Sequence, residues 1–350
     1  MTEALQPLLL AEAITDCDLR EAAKQLRKRE DVTICRVDKT AAFVLMQTEE
    51  YHRKIEEILA DTTKFTRITK NPVDNIKRKA NRIIETVNAT SYALHLPPIT
   101  GDRNLGYIYR NVKTHKQGSP LRPIISQIPA PTYLLAKKLN TILTLYVPDT
   151  YSSKSSAEFL EALRVTPSRR CIASMDVESL FTNVPVNETI QMILDKVYRD
   201  PDTPPLNIPE HALRALLDIC TKMAPFSDHR GRMYTQIDRV AMGSSLGVLF
   251  PNFYTGTVEE RVFQNSSKLS MYLRYIDGSF VSADSQVKIE QLRCAFHYHS
   301  CLSFTIEHCE DRRLPFLDIL VEQQDTRFRT NVYTKPTNLG MCMNRESECP

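Results

Sequence analysis

Apolar and polar positions alternate with two different periods along this chain, and the switches between them predict its elements. Asp16 to Glu30 places apolar residues at helical spacing and predicts an amphipathic helix. Residues 32–46 change to a β-prone alternation that ends in Phe43-Val44-Leu45-Met46. Residues 48–88 read as mostly helical, with Ile55, Ile58 and Leu59 on one face and Ile76, Ile83 and Val87 on a later one. Two short strands are predicted within 105–127, around Gln117-Gly118-Ser119-Pro120, whose turn chemistry makes them a hairpin. A helix follows from Pro131 to Leu145, and Ser155-Ser156-Ala157-Glu158 forms a capping box that opens the next.

The second half continues in the same mixture. Cys171–Val177 reads as a strand, and Asn187 as the cap of a helix reaching Tyr198. Pro201-Asp202-Thr203-Pro204-Pro205 is a loop, and Pro209 starts a helix through Cys220. A hairpin around His229-Arg230-Gly231 leads to Ala241-Met242-Gly243-Ser244-Ser245 and then a helix to Phe263. A hairpin over 270–283, a helix over 285–299 and strands over 303–307, 316–322 and 328–333 complete the pattern. There is no internal repeat and no low-complexity tract. Helices mixed with antiparallel hairpins predict an α+β fold.

Composition narrows the function classes. The chain has 350 residues, 42% of them hydrophobic and 25% charged, enough for a core divided among two or three subdomains. Nine glycines against 20 prolines argue against a glycine-rich cofactor fold. No apolar run approaches the ~20 residues of a membrane span, so no membrane partner is expected. Met1-Thr2-Glu3-Ala4 lacks the basic start of a signal peptide. Nine cysteines with no C-x-x-C pair point to reduced thiols and an intracellular location. Residues 61–125 carry a net +8 while the whole chain carries +3, leaving −5 elsewhere. Such asymmetry fits a chain that grips nucleic acid or nucleotide with one part and metal with another. A solvated helix face around Lys77-Arg78-Lys79 and Arg82 explains it equally well.

The chemistry concentrates in two acidic stretches. Ser174-Met175-Asp176-Val177-Glu178-Ser179-Leu180-Phe181 and Leu273-Arg274-Tyr275-Ile276-Asp277-Gly278-Ser279-Phe280 each place an Asp where an apolar, β-prone run ends or turns. Two carboxylates on neighbouring strand ends can share two Mg²⁺ (or Mn²⁺) ions, the arrangement that catalyses in-line phosphoryl transfer. Mg²⁺ fills the rest of its shell with water and substrate phosphates, so two or three Asp suffice. A nucleic-acid polymerase palm needs such a pair.

The chain resembles the reverse transcriptases of Penelope-like retroelements, whose catalytic domain is related to that of telomerase. The stretches that carry the resemblance are Lys113-Thr114-His115-Lys116-Gln117-Gly118-Ser119-Pro120-Leu121-Arg122-Pro123-Ile124 and Met175-Asp176-Val177-Glu178-Ser179-Leu180-Phe181-Thr182-Asn183-Val184-Pro185. Ala241-Met242-Gly243-Ser244, Arg274-Tyr275-Ile276-Asp277, Leu314-Pro315-Phe316-Leu317-Asp318-Ile319-Leu320 and Val332-Tyr333-Thr334-Lys335-Pro336-Thr337 complete them. The similarity runs from about residue 35 to the end.

The resemblance implies a right-hand polymerase with fingers and palm, the antiparallel palm sheet backed by helices. It implies an N-terminal helical region over 1–90, fingers over 91–165 and palm over 166–350 with the start of a thumb-side region. The GIY-YIG nuclease and most of the thumb are expected to be absent. It also implies an RNA or DNA template with primer, deoxynucleoside triphosphates and two Mg²⁺ or Mn²⁺ ions. Asp176 and Asp277 would be the metal ligands and catalytic residues. Arg122 and then Lys113 would hold the triphosphate, with Lys116 more plausibly a solvated charge beside the turn. Phe181, five after Asp176, would be a steric gate against a 2′-hydroxyl. Gly243 and Ser244 would lie where backbone passes close to nucleotide and template. A nuclear location is expected for a retroelement enzyme.

Two departures set limits. The family continues Gly-Ser-Pro-Leu-Ser-Pro, whereas this chain has Gly243-Ser244-Ser245-Leu246-Gly247-Val248, with Pro251 inside the expected helix. The family has Tyr-x-Asp-Asp, and Gly278 replaces the second Asp. Asp-Gly is itself a favoured hairpin-turn dipeptide, so this stretch could keep the fold without any metal. Weakened catalysis, or an inactive remnant that binds nucleic acid, are the alternatives. A metal-dependent nuclease is a third reading, short of clustered carboxylates. Asp318 reads as strand packing. Cys294, His297, His299 and Cys301 match no standard zinc spacing.

Overall fold

A computed structural model describes residues 16–38, 42–90, 95–114, 118–238, 240–241, 243–264 and 271–335. The elements run α1 (Asp16–Lys28), β1 (Val32–Val37), β2 (Phe43–Gln47), α2 (Thr48–Leu59), β3 (Phe65–Ile68), α3 (Val73–Thr90), β4 (Gly106–Val112) and β5 (Leu121–Ser126). They continue with α4 (Tyr133–Leu143), α5 (Ser156–Val165), β6 (Cys171–Val177), α6 (Leu180–Asn183), α7 (Val186–Tyr198), α8 (Glu210–Thr221), β7 (Phe226–Ser227), β8 (Met233–Gln236) and α9 (Leu249–Gln264). The last are β9 (Met271–Tyr275), β10 (Gly278–Ala283), α10 (Gln286–His299), β11 (Phe304–His308), β12 (Arg313–Phe316), β13 (Ile319–Gln323) and β14 (Phe328–Val332).

The chain divides into two compact units, Met1–Ala60 with Arg110–Arg122, and Asp61–Tyr109 with Pro123–Pro350. In the smaller unit β1 and β2 form an antiparallel hairpin, and β1 pairs in parallel with the end of β4. Their inner face packs on α2 through Cys35, Met46, Val112, Leu121 and Tyr51. Arg110 points into this interior. Its side chain is only 2% exposed, and Nε, Nη1 and Nη2 have no hydrogen-bond partner. The guanidinium lies 5.4 Å over the Tyr51 ring, and burial pulls its pKa down to about 10.

The larger unit is built on the sheet β11-β6-β10-β9, antiparallel throughout. Central β6 is buried on both faces because side chains alternate across a sheet. Ala173, Met175 and Val177 face the large core with α7, α8, α9 and α10. Ile172 faces a second cluster with Phe159 and Leu163 of α5, and with Leu314, Phe316, Ile319 and Val321 of the small β12-β13-β14 sheet. Helices thus back an antiparallel sheet, as the pattern predicted.

Three stretches differ from the sequence reading. The predicted helical run over 48–88 is interrupted by β3, which pairs with β8. The single strand predicted over 316–322 is a hairpin, because Leu317 adopts a left-handed conformation at φ 58° and turns the chain. Asp318 is accordingly exposed in that turn, and its carbonyl accepts from the Tyr333 amide at 2.9 Å; it does not pack in a strand. Asn187 lies one residue inside α7, whose cap position is Pro185, and its amide reaches Asp238 Oδ1 at 3.4 Å. By contrast, Ser155 caps α5 as predicted, its Oγ accepting from the Glu158 amide at 3.2 Å, while the returning arm of the box shifts by one residue: Glu158 Oε2 accepts from the Lys154 amide at 2.6 Å.

Candidate active site

Asp176 is the first residue of β6 to emerge. Ser174 and Met175 before it are buried, and Asp176 is exposed. It shares a sheet face with Ile172 and Ser174, so its carboxylate leaves the sheet where the aromatic cover of Phe280 and Phe316 ends. Asp176 stands opposite Gly278 on one neighbour and Thr305 on the other. The Val177 amide donates to the Asp277 carbonyl at 2.9 Å, which sets the two aspartates side by side along the strand ends. Asp277 is exposed as well.

The turn carrying Asp277 lies one residue earlier than the sequence suggested. Tyr275 pairs with Gly278, leaving Ile276-Asp277 as a two-residue connection. Ile276 takes the left-handed position, at φ 58°, where a β-branched side chain is strained. Gly278 has no positive φ and opens β10. The reading of Asp277-Gly278 as the turn dipeptide is therefore corrected: the turn lies one residue earlier. What glycine provides at 278 is volume. A Cβ there would lie 2.7 Å from Asp176 Oδ1 and 3.7 Å from Phe316 Cε2, so the Asp176 carboxylate occupies the space a side chain would take.

Beneath the turn lies a polar network that sequence reasoning missed. Arg274 and Glu259 have side chains only 3% and 1% exposed. Arg274 Nε donates to Glu259 Oε1 at 2.6 Å and Nη2 to Oε2 at 3.2 Å. Nη2 also donates to Ser152 Oγ at 2.7 Å, and Nη1 to Asn252 Oδ1 at 3.3 Å and to the Ile276 carbonyl at 3.1 Å. The Tyr272 hydroxyl donates to Glu259 Oε1 at 2.8 Å and lies 3.0 Å from Ser279 Oγ. A charge at a buried strand position was the available signal, since such a charge needs a partner.

Phe181 sits on the single turn α6 just past Asp176. Ser179, at φ 51°, turns the chain there, and Asn183 Nδ2 donates to the Glu178 carbonyl at 3.0 Å. Leu180 is buried in the large core while Phe181 is half-buried and outside it. Gly243 packs against β5: a Cβ would lie 2.3 Å from the Ile125 carbonyl oxygen, so the close approach here is to the chain's own backbone. Ser244 Oγ accepts from the Leu246 amide at 3.2 Å. α9 starts at Leu249, which puts Pro251 in the first turn, where its missing N–H costs nothing.

Lys113 and Arg122 belong to the smaller unit and flank one hairpin, closed by the Lys113 amide donating to the Pro120 carbonyl at 2.9 Å. Arg122 Nη2 lies 3.3 Å from Oδ2 of buried Asp38, so the guanidinium is partly committed. Lys116 and Met242 fall outside the described residues, as do Pro336 and Thr337. Cys301 Sγ donates to the Asn183 carbonyl at 3.6 Å, and His297 Nδ1 lies 3.4 Å from the Leu302 carbonyl. Among the described residues no three His, Cys, Asp or Glu side chains gather as a metal cluster. Asp176 and Asp277, exposed at the same end of two neighbouring strands, offer two hard oxygen donors of the kind Mg²⁺ takes while keeping several waters.

No protein-family model matches the chain, and no curated protein matches it in sequence. Its fold does match solved structures. Telomerase from Candida albicans, in complex with a TWJ fragment of telomeric RNA, superposes with a TM-score of 0.63 at 11% identity, over 91% of this chain and 57% of that one. Apo telomerase from Candida tropicalis matches with a TM-score of 0.59 at 9% identity, over 90% of this chain and 61% of that one. A form of it truncated from the C-terminal domain gives 0.59 at 8% identity, over 85% and 63%. The chain therefore spans about three fifths of the length of these telomerases. Its α+β fold of palm and fingers is similar to that of these telomerases.

Proposed function

We propose that this chain is the polymerase region of a Penelope-like retroelement reverse transcriptase, an RNA-directed DNA polymerase weakened by Gly278. The placement of Asp176 and Asp277 at the same exposed end of two neighbouring strands carries the reading. The telomerase-like fold and the family stretches around both aspartates support it. The reaction is attack of a primer 3′-hydroxyl on a deoxynucleotide α-phosphate, with pyrophosphate leaving, on an RNA or DNA template.

Asp176 and Asp277 would hold two Mg²⁺ or Mn²⁺ ions, which when bound neutralise phosphate charge and favour the primer alkoxide. Phe181, half-buried and outside the large core on the single turn α6, excludes a ribose 2′-hydroxyl by bulk. Arg122 grips triphosphate oxygens in bidentate fashion and Lys113 adds a point charge. Gly243 and Ser244 shape the backbone that the nucleotide and template pass. A nuclear location belongs to the same proposal.

The second reading is a folded remnant that binds nucleic acid without polymerising, favoured by Gly278 and by the two-carboxylate site. Primer extension on an RNA template with Mg²⁺ or Mn²⁺ separates the two. Extension by the parent that Asp176→Ala abolishes establishes the polymerase. Salt-sensitive nucleic-acid binding with no extension in any variant, Gly278→Asp included, establishes the remnant.

A further inference from the structure

The acidic hairpin is held from below more firmly than its two-residue turn alone could hold it. A guanidinium has five N–H donors, and in Arg274 they reach Glu259, Ser152, Asn252 and the Ile276 carbonyl. These acceptors come from α9, from the loop before α5, and from the turn itself. The same loop is zipped to β9 by backbone: the Arg274 amide donates to the Tyr151 carbonyl at 2.8 Å, and the Ser153 amide to the Arg274 carbonyl at 2.7 Å.

A buried ion pair is a poor device for stability, because apolar side chains of the same volume hold a core as well. Its worth lies in direction. The fork of Arg274 meets both oxygens of Glu259, and Tyr272 fixes one of those oxygens from the side, so the guanidinium plane is locked. From that plane Nη1 points at the carbonyl of Ile276, the residue in the strained left-handed conformation immediately before Asp277. Strain of this kind persists only where surrounding contacts over-determine it.

We propose that Arg274, oriented by Glu259, is a positioning residue that pins the Ile276-Asp277 turn and so sets the height of the Asp277 carboxylate against Asp176. Its link to catalysis rests on the polymerase reading; its link to the turn does not.

The test uses the full chain and the variants Arg274→Lys and Ser152→Ala, with two readouts. In amide hydrogen exchange, Arg274→Lys speeds exchange at residues 276–278 by about tenfold or more while β6 and α7 keep the parent's protection. Lysine retains the charge but lacks the fork. Ser152→Ala, which removes one acceptor, gives a smaller change at the same amides and covers the case in which Arg274→Lys does not fold. In Mn²⁺ titration, the apparent affinity falls by about 10–100-fold in Arg274→Lys, as for other groups that orient a metal ligand. Unchanged exchange at the turn overturns the proposal, as does a rise spread evenly over the whole palm, which marks a merely structural pair. If the parent itself takes no Mn²⁺, the polymerase reading falls, and the exchange result alone decides whether Arg274 pins the turn.

Discussion

Restoring a carboxylate at position 278 should cost stability without metal and return it with metal. The Gly278 Cα faces the Asp176 carboxylate, and any Cβ there lies 2.7 Å from Asp176 Oδ1, so that carboxylate must rotate aside. Pushing a side chain off its rotamer costs about 0.5–1.5 kcal/mol. Replacing glycine also trims unfolded-chain entropy, which offsets about 0.4–1 kcal/mol of that. Gly278→Asn therefore melts close to the parent. Gly278→Asp has the same volume and adds a like charge directly across the ladder from Asp176. Two unit charges about 4 Å apart in a solvent-like medium repel by about 1 kcal/mol. In chelator the Asp variant should thus be about 1 kcal/mol less stable than the Asn variant, a melting difference on the order of 2 °C for a chain of this size. Mg²⁺ reverses the order, since three carboxylates hold the ion better than two, and a ligand at about 100 times its Kd adds about 2.7 kcal/mol. Primer extension by Gly278→Asp should then exceed the parent's by about 10–100-fold. Melting curves of parent, Asn and Asp variants in chelator and in Mg²⁺ give the first part, and extension assays the second. Equal melting of Asn and Asp variants in both buffers refutes the placement of 278 against Asp176. An Asp variant no more active than the parent refutes the account of weakened catalysis.

Two further outcomes follow from the structure. Arg110→Met should stabilise the protein by about 1–4 kcal/mol, because it removes a buried, unpartnered charge and keeps the contact with Tyr51. Burial lowers the folded-state pKa to about 10, below its value in the unfolded chain, so the unfolded chain binds more protons above that pH and the parent gains stability as pH climbs through it. The gain from Arg110→Met is accordingly constant through neutral pH and shrinks above pH about 10; urea unfolding with a lower midpoint for the Met variant refutes it. Phe181→Ala, placed in the Gly278→Asp background, should reduce discrimination against ribonucleotides by about 10–200-fold in kcat/KM ratio. An unchanged ratio removes Phe181 from the sugar site.

Most helices and the strands of the four-stranded sheet were legible from their patterning, as in the β-prone stretch Cys171–Val177 and the amphipathic α7. Two turns that the sequence misplaced share a cause. Leu317 and Ile276 turn the chain with a left-handed bulky residue, a choice that local propensity argues against and tertiary packing imposes. The aspartates were legible as a pair because an acid ending a β-prone run is conspicuous. The volume vacated at Gly278 was not, since it depends on which residue stands across the ladder. The Arg274–Glu259 pair was hidden for the same reason: its members lie 15 residues apart, on a strand and a helix, and meet only in the folded core.

Gly243 has a consequence for how accurately the molecule is built. With a Cβ position only 2.3 Å from the Ile125 carbonyl, the loop leading into α9 is seated on β5 with no clearance. That loop feeds α9, α9 carries Asn252 and Glu259, and these aim Arg274 at the turn before Asp277. Positional error therefore accumulates along one series of contacts, and a displacement introduced at the seat would be read out at Asp277, far along the chain.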